Sequence, residues 1–225
     1  MGKDYTDMPD GVGKIQGVGE GAPAYQAERF LQLVPEPEKM TLEDYLALPD
    51  DRRVEMIDGV FYDMAAPTLV HQLISMEIWK SMKEYVEKNG GDCVPFAAPV
   101  DVQLFHDDKT IVQPDVFVVC DRDKLIKQRV LDVPDLIVEV VSPGSLKMDT
   151  RLKLEKYKQA GVREYWIVFP EEKKVLVYLF EKAKEAADIV PKEYTFANRV
   201  PVGIWDDICE VDFGEIYEQC SFLYE

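Results

Sequence analysis

The spacing of apolar positions changes several times along the chain, and each change predicts an element. Thr41 opens the run TLEDYLAL with Asp44 three residues on, the arrangement of a helix N-cap, and the run stops at Pro49. In RVEMIDGVFYDM, apolar residues flank Asp58-Gly59, a tight-hairpin signal. From His71 to about Lys88 the spacing is helical. Leu73, Ile74, Ile78, Met82, Tyr85 and Val86 fall on one face, and Asn89-Gly90-Gly91 ends the helix. Three strand-like runs follow, at about 93–104, 115–120 (DVFVVC) and 135–141 (DLIVEVV). The last two are continuously apolar, which predicts strands covered on both faces. Ser142-Pro143-Gly144 breaks the third run, a helix is predicted over about 149–160, and EYWIVF after Gly161 reads as a buried strand. Strand, helix and strand at this spacing form a βαβ unit, so 135–141 and 165–169 are expected to be parallel, with a right-handed crossover. VLVYLF, after the turn Glu171-Glu172-Lys173-Lys174, is expected to add antiparallel. Residues 190–225 show less regular spacing.

The 225 residues suffice for a single domain, placed at 40–225, preceded by an arm at 1–39. The arm's first 23 residues are rich in glycine and lack periodicity, the signature of a flexible segment. The formal net charge is −17. Phosphate neutralisation by basic residues supplies most nucleic-acid affinity, so this balance argues against tight non-specific DNA binding. It suits a carboxylate-based metal site. Cys93, Cys120, Cys209 and Cys220 form no CxxC pair, and with two histidines in the chain a zinc site is not expected. All four cysteines read as reduced and structural. There is no secretion-signal pattern and no apolar stretch near the roughly 18 residues of a membrane span, so a cytoplasmic protein is expected.

Glu139 is the most informative residue. It interrupts an otherwise apolar strand, LIVEVV, and a lone buried carboxylate costs several kcal/mol unless it is paired or bound to metal. A buried ion pair satisfies that need as well as a metal does. Asp115 follows Pro114 at the start of the preceding strand, a position that turn aspartates also favour. Two carboxylates on successive strands can converge on one hard cation, which takes oxygen ligands. Lys153 lies early in the next helix, beside the strand end where α/β folds place their sites. Asp149, Lys153 and Tyr157 recur at i, i+4 and i+8 and share a face, which also fits a plain surface ion pair.

The strings PDVFVV, DLIVEVVSPGS and DTRLKLEKYKQAGVREYWIV, with RVEMIDGVFYDMAAPTLVHQ upstream, resemble the Uma-type family, a group classed with restriction endonucleases in the PD-(D/E)xK nuclease superfamily. The resemblance runs from about Thr41 to Asp212. It implies an α/β fold with a restriction-endonuclease-like core, a mixed β-sheet flanked by helices, and an N-terminal helix and hairpin extension. It implies a metal-dependent endonuclease acting on DNA, with Asp115 and Glu139 as ligands for Mg²⁺ or Mn²⁺ and Lys153 as the catalytic lysine. The superfamily pattern places that lysine two residues after the acid, where this chain has Val141. The family's displaced lysine corresponds to Lys153. Glu55 matches a recurrent family glutamate, as a further ligand or water-positioning group or as a plain strand-face carboxylate. His71 also resembles a family position or is a helix-start or packing histidine, and Asp101 lies within an apolar strand where it stands either beside the site or apart from it. Lys147, Arg151, Lys153, Lys156, Lys158 and Arg163 surround the 149–160 helix as a phosphate-facing rim or a solvated face. A homodimer is expected, two-fold pairs being the commonest oligomers. The alternative reading is a catalytically weak or inactive nucleic-acid-binding or assembly module on the same fold.

Overall fold

Thr41 and Asp44 cap the first helix reciprocally. The Thr41 hydroxyl accepts from the Asp44 N–H, and the Asp44 carboxylate accepts from the Thr41 N–H, as the sequence predicts. The computed structural model describes residues 39–49, 51–183 and 189–224, so the expected N-terminal arm lies outside the described residues apart from Lys39. Helix α1 (Leu42–Leu46) leads into strands β1 (Val54–Ile57) and β2 (Val60–Asp63). Their turn holds Asp58 at φ 53° and Gly59 at φ 76°, the paired left-handed conformation of a two-residue hairpin. A Cβ on Gly59 would also come within 2.8 Å of the Lys39 Cβ, so both conformation and space require glycine there.

Helix α2 (Leu69–Asn89) is capped by Thr68, ends at Gly90 and buries Ile74, Ser75, Ile78 and Met82. The strands after it are β3 (Val94–Ala97), β4 (Val102–Gln103), β5 (Ile111–Val112), β6 (Val116–Val119), β7 (Val130–Leu131) and β8 (Leu136–Val140). A π-helical segment (Met148–Lys153) continues into α3 (Leu154–Ala160), followed by β9 (Glu164–Phe169), β10 (Lys174–Leu179) and β11 (Lys192–Thr195). A hairpin of β12 (Arg199–Pro201) and β13 (Glu210–Asp212) precedes α4 (Phe213–Cys220).

Two mixed sheets carry the fold. The larger runs β11-β10-β9-β8-β6-β3 and the smaller β2-β1-β5-β4-β7. β8 and β9 pair in parallel with Glu139 opposite Ile167, which realises the expected βαβ unit, and β10 adds antiparallel to β9. β8 is buried on both faces. Val138 and Val140 pack with Ile74, Ile78 and Trp166, whereas Ile137 packs with Tyr157, Tyr165 and Ile167. Each such fully buried side chain stabilises by about 1.5–3 kcal/mol. Glu139 shares the Ile137 face by strand alternation, so its carboxylate enters the side covered by α3.

Several elements differ from the sequence expectation. The 93–104 run is two strands, β3 and β4, separated by a cis Ala98-Pro99 bond. The 149–160 helix begins as a π-helix, a wider winding that often marks functional positions. Residues 190–224 are more regular than their spacing suggests, because their strands are short. Cys93 and Cys120 are not reduced thiols but a disulfide. The pairing of Val94 with Val119 places them opposite each other one step further along, a cross-strand relation that a separation of 27 residues conceals. Cys209 and Cys220 are free and buried, as expected. Among the described residues no helix is long and apolar enough to cross a membrane.

Candidate active site

β6 and β8 are antiparallel with Val116 opposite Val138, and continuing that register by one residue sets Asp115 across from Glu139. Directly opposed residues project to the same face with Cβ atoms about 4.5–5.5 Å apart. The two carboxylates are held in matching ways. Asp115 Oδ2 accepts from the Val140 N–H at 2.8 Å and lies 3.0 Å from His71 Nε2. Glu139 Oε1 accepts from Lys153 Nζ at 3.0 Å and from the Tyr157 hydroxyl at 2.6 Å. Glu139 Oε1 takes two donors and Asp115 Oδ2 takes one with His71 Nε2 beside it, while Asp115 Oδ1 and Glu139 Oε2 take no hydrogen bond from the described residues.

Lys153 sits at the centre of the acidic group. Its ammonium is 2.8 Å from Glu55 Oε1, 3.0 Å from Glu139 Oε1 and 3.7 Å from Asp149 Oδ1, with only 4% of the residue exposed. Asp149 and Lys153 are therefore not the surface pair their spacing allows, but part of the buried interior. Glu55 is fixed from a second side by the Gln113 backbone N–H at 2.8 Å.

One ammonium faces four carboxylates here, and that imbalance sets the electrostatics. Burial pushes the Glu139 carboxyl well above the usual carboxylate range; Lys153 opposes the shift, and Asp115, Asp149 and Glu55 add to it. Burial also raises Asp149 against the pull of Lys153. For Lys153, burial favours the neutral amine, but Glu139, Glu55 and Asp149 together outweigh it and hold the ammonium well above the usual lysine range. Burial, then the neighbouring Glu139, keeps the Tyr157 hydroxyl protonated as a donor.

A cleft of about 340 Å³ opens on this group. Asp115, Glu139, Lys153 and Glu55 all line it, as does His71, between walls that include Ala65-Ala66-Pro67 and Ala97-Ala98-Pro99. Asp101 does not line it; it accepts from the Tyr45 hydroxyl and from Gln113 Nε2, both at 2.9 Å. Gln113 and Tyr45 were not singled out by sequence, although Gln113 stands two residues before Asp115. The expected basic rim is partly spent in ion pairs. Lys153 is buried, Lys156 binds Asp58 at 2.7 Å, and Arg163 binds Asp135 at 3.1 Å and Glu181 at 2.5 Å.

Among the described residues no three His, Cys, Asp or Glu side chains form a ready metal cage. The donor set fits a different kind of site. Mg²⁺-like ions are commonly held by one or two carboxylates and completed by water and substrate phosphate. Two opposed carboxylates, each with an unengaged oxygen and a surplus of negative charge, match that open arrangement.

The family profile of Uma2, described as putative restriction endonuclease, matches residues 42–203. This chain belongs to the Uma2 family. An uncharacterized protein of Synechocystis sp. is 28% identical over 121 residues, a match spanning 53% of this chain and 62% of that relative, less than two thirds of its length. A crystal structure of a putative nuclease belonging to DUF820 from Anabaena variabilis has a TM-score of 0.64 at 19% identity, covering 80% of this chain and 98% of that one. That likeness shows a shared fold. The Uma2 match contains Asp115, Glu139, Lys153 and Glu55.

Proposed function

We propose that this Uma2 protein is a Mg²⁺- or Mn²⁺-dependent endonuclease that hydrolyses DNA phosphodiester bonds at a PD-(D/E)xK-type site whose lysine is displaced to the following helix. The observation that carries the reading is the contact of Lys153 with Glu139 at 3.0 Å, opposite Asp115. An ammonium supplied from the helix thus meets the acid that Val141 cannot serve. Asp115 and Glu139 would hold the ion through their unengaged oxygens. When bound, the ion polarises the phosphate and lowers the pKa of a coordinated water.

The chain's own residues do the rest. Lys153, held as an ammonium by its neighbouring carboxylates, presents a donor on the cleft, where it would orient the attacking water and offset developing negative charge. Glu55 holds that ammonium toward the cleft. Tyr157 and His71 fix the orientation of the two ligating carboxylates, a supporting role common around metal sites. The proposal takes the protein to be a cytoplasmic homodimer; light scattering tests the dimer, and cell fractionation the location.

The experiment is cleavage of plasmid and oligonucleotide DNA with millimolar Mn²⁺ or Mg²⁺. Metal-dependent products are expected from wild type. Asp115→Ala, Glu139→Ala and Lys153→Ala should each lose at least about 100-fold. Equal cleavage by wild type and the carboxylate variants would sink the assignment. A non-catalytic nucleic-acid-binding or assembly module is the second reading, favoured by the engagement of Lys153 with three carboxylates and by the −17 charge. Saturable DNA binding without turnover in either metal would select it.

A further inference from the structure

A phosphodiester entering this cleft meets mostly its own sign of charge. Five carboxylates line it (Glu55, Asp63, Asp115, Glu139 and Asp149) against two full cations, Arg53 and Lys153. Lys153 is already surrounded by three of those carboxylates. Arg53 differs. It is exposed and has no carboxylate partner among the described residues. Among the described residues its one side-chain hydrogen bond runs from Nη2 to the neutral Gln113 Oε1 at 3.3 Å.

Its placement is built rather than incidental. Arg53 immediately precedes β1 and stands two residues before Glu55, so strand alternation sends both side chains to the cleft side. Gln113 links the pair. Its backbone N–H binds Glu55, its side-chain carbonyl receives Arg53, and its amide group donates to Asp101 at 2.9 Å and to the Tyr45 hydroxyl at 3.3 Å. The guanidinium is therefore steered to the cleft by a neutral group, with its charge uncompensated among the described residues. A planar guanidinium is also well matched to a phosphate, which it can contact through two parallel N–H groups.

We infer that Arg53 is a substrate-binding residue that contacts a DNA backbone phosphate next to the one being cleaved. This rests on the phosphodiesterase reading above. It explains how a chain of net charge −17 engages a polyanion through a local contact.

The test is initial-rate cleavage of a labelled DNA duplex with Mn²⁺ at several NaCl concentrations. Wild type, Arg53→Gln, Arg53→Lys and, as a distant charge control, exposed Lys192→Gln are compared. Arg53→Gln is expected to raise KM about tenfold, leave kcat within about twofold, and flatten the dependence of log(1/KM) on log[salt] by about one. Arg53→Lys should keep the wild-type slope, because the charge remains. Unchanged Mn²⁺ stabilisation of Arg53→Gln in a melting scan would show the metal site intact. If Arg53→Gln matches Lys192→Gln in both KM and slope, the Arg53 assignment falls while the nuclease reading stands. If wild type cleaves nothing, the nuclease reading fails and Arg53 falls with it.

Discussion

Lys153 Nζ lies 3.0 Å from Glu139 Oε1, although the two residues are 14 positions apart and belong to a π-helix and a central strand. The contact answers the question posed by a carboxylate inside an apolar strand: Glu139 is paired. Pairing alone leaves two further acids, Glu55 and Asp149, around a single ammonium, which distinguishes this group from a balanced structural ion pair.

Removal of the ammonium should be costly. Lys153→Met leaves Glu55, Glu139 and Asp149 buried without compensation, and breaking a buried pair typically costs about 3–5 kcal/mol. Urea unfolding should show that loss for Lys153→Met. Adding Glu139→Gln to the variant should recover part of it, because one uncompensated charge disappears.

Tyr157→Phe should act more gently. It deletes one donor to an acidic oxygen at 2.6 Å without changing volume. Hydrogen bonds to charged groups contribute about 1.5–3 kcal/mol, and in a domain of this size 1 kcal/mol shifts Tm by about 2–4 °C. A melting scan should therefore show Tyr157→Phe lower by roughly 3–12 °C. An unchanged Tm would mean that the hydroxyl does not hold Glu139.

Glu164 gives a pH dependence far from the cleft. It is fully buried, accepting from Trp166 Nε1 at 2.7 Å and from the Ile204 N–H at 2.8 Å. Burial raises its pKa, and the two donors offset only part of the rise. The folded state thus binds this proton more tightly than the unfolded state. Its contribution is fully present below the unfolded value of 4.5 and is lost as pH rises through the raised folded value. Between pH 4.5 and neutrality, Glu164→Gln should accordingly lose less stability than wild type when both are followed by thermal melting. Parallel curves would remove Glu164 as the cause.

The cysteines offer a chemical count. Protein denatured without reductant should expose two titratable thiols, Cys209 and Cys220, and reduction should raise the count to four. Four thiols before reduction would contradict the Cys93–Cys120 bridge.

Most of the fold's centre was legible in the chain because its signals are local. The capping box at Thr41, the Asp58-Gly59 turn and the continuous apolar runs around Phe117 and Ile137 each specify their element within a few residues. A glutamate within LIVEVV is conspicuous for the same reason, and the fold sets it in the wall of the cleft. What escaped depends on contacts distant in sequence. Gln113 gains its role only when β1 brings Glu55 beside it, 58 residues away. The Cys93–Cys120 bond follows from strand register, and burial of the Asp149–Lys153 pair follows from packing against β8, neither of which helical spacing reports. The two-residue strands β4, β5 and β7 carry too few positions to show a period.

The most direct test of the central claim, that Asp115 and Glu139 form a cation seat, is calorimetric titration of Mn²⁺ into wild type and into Glu139→Gln and Asp115→Asn. Wild type is expected to bind with a saturable isotherm, and each variant to bind at least about tenfold more weakly. Equal binding by all three proteins, or none by a folded wild type, would contradict the account.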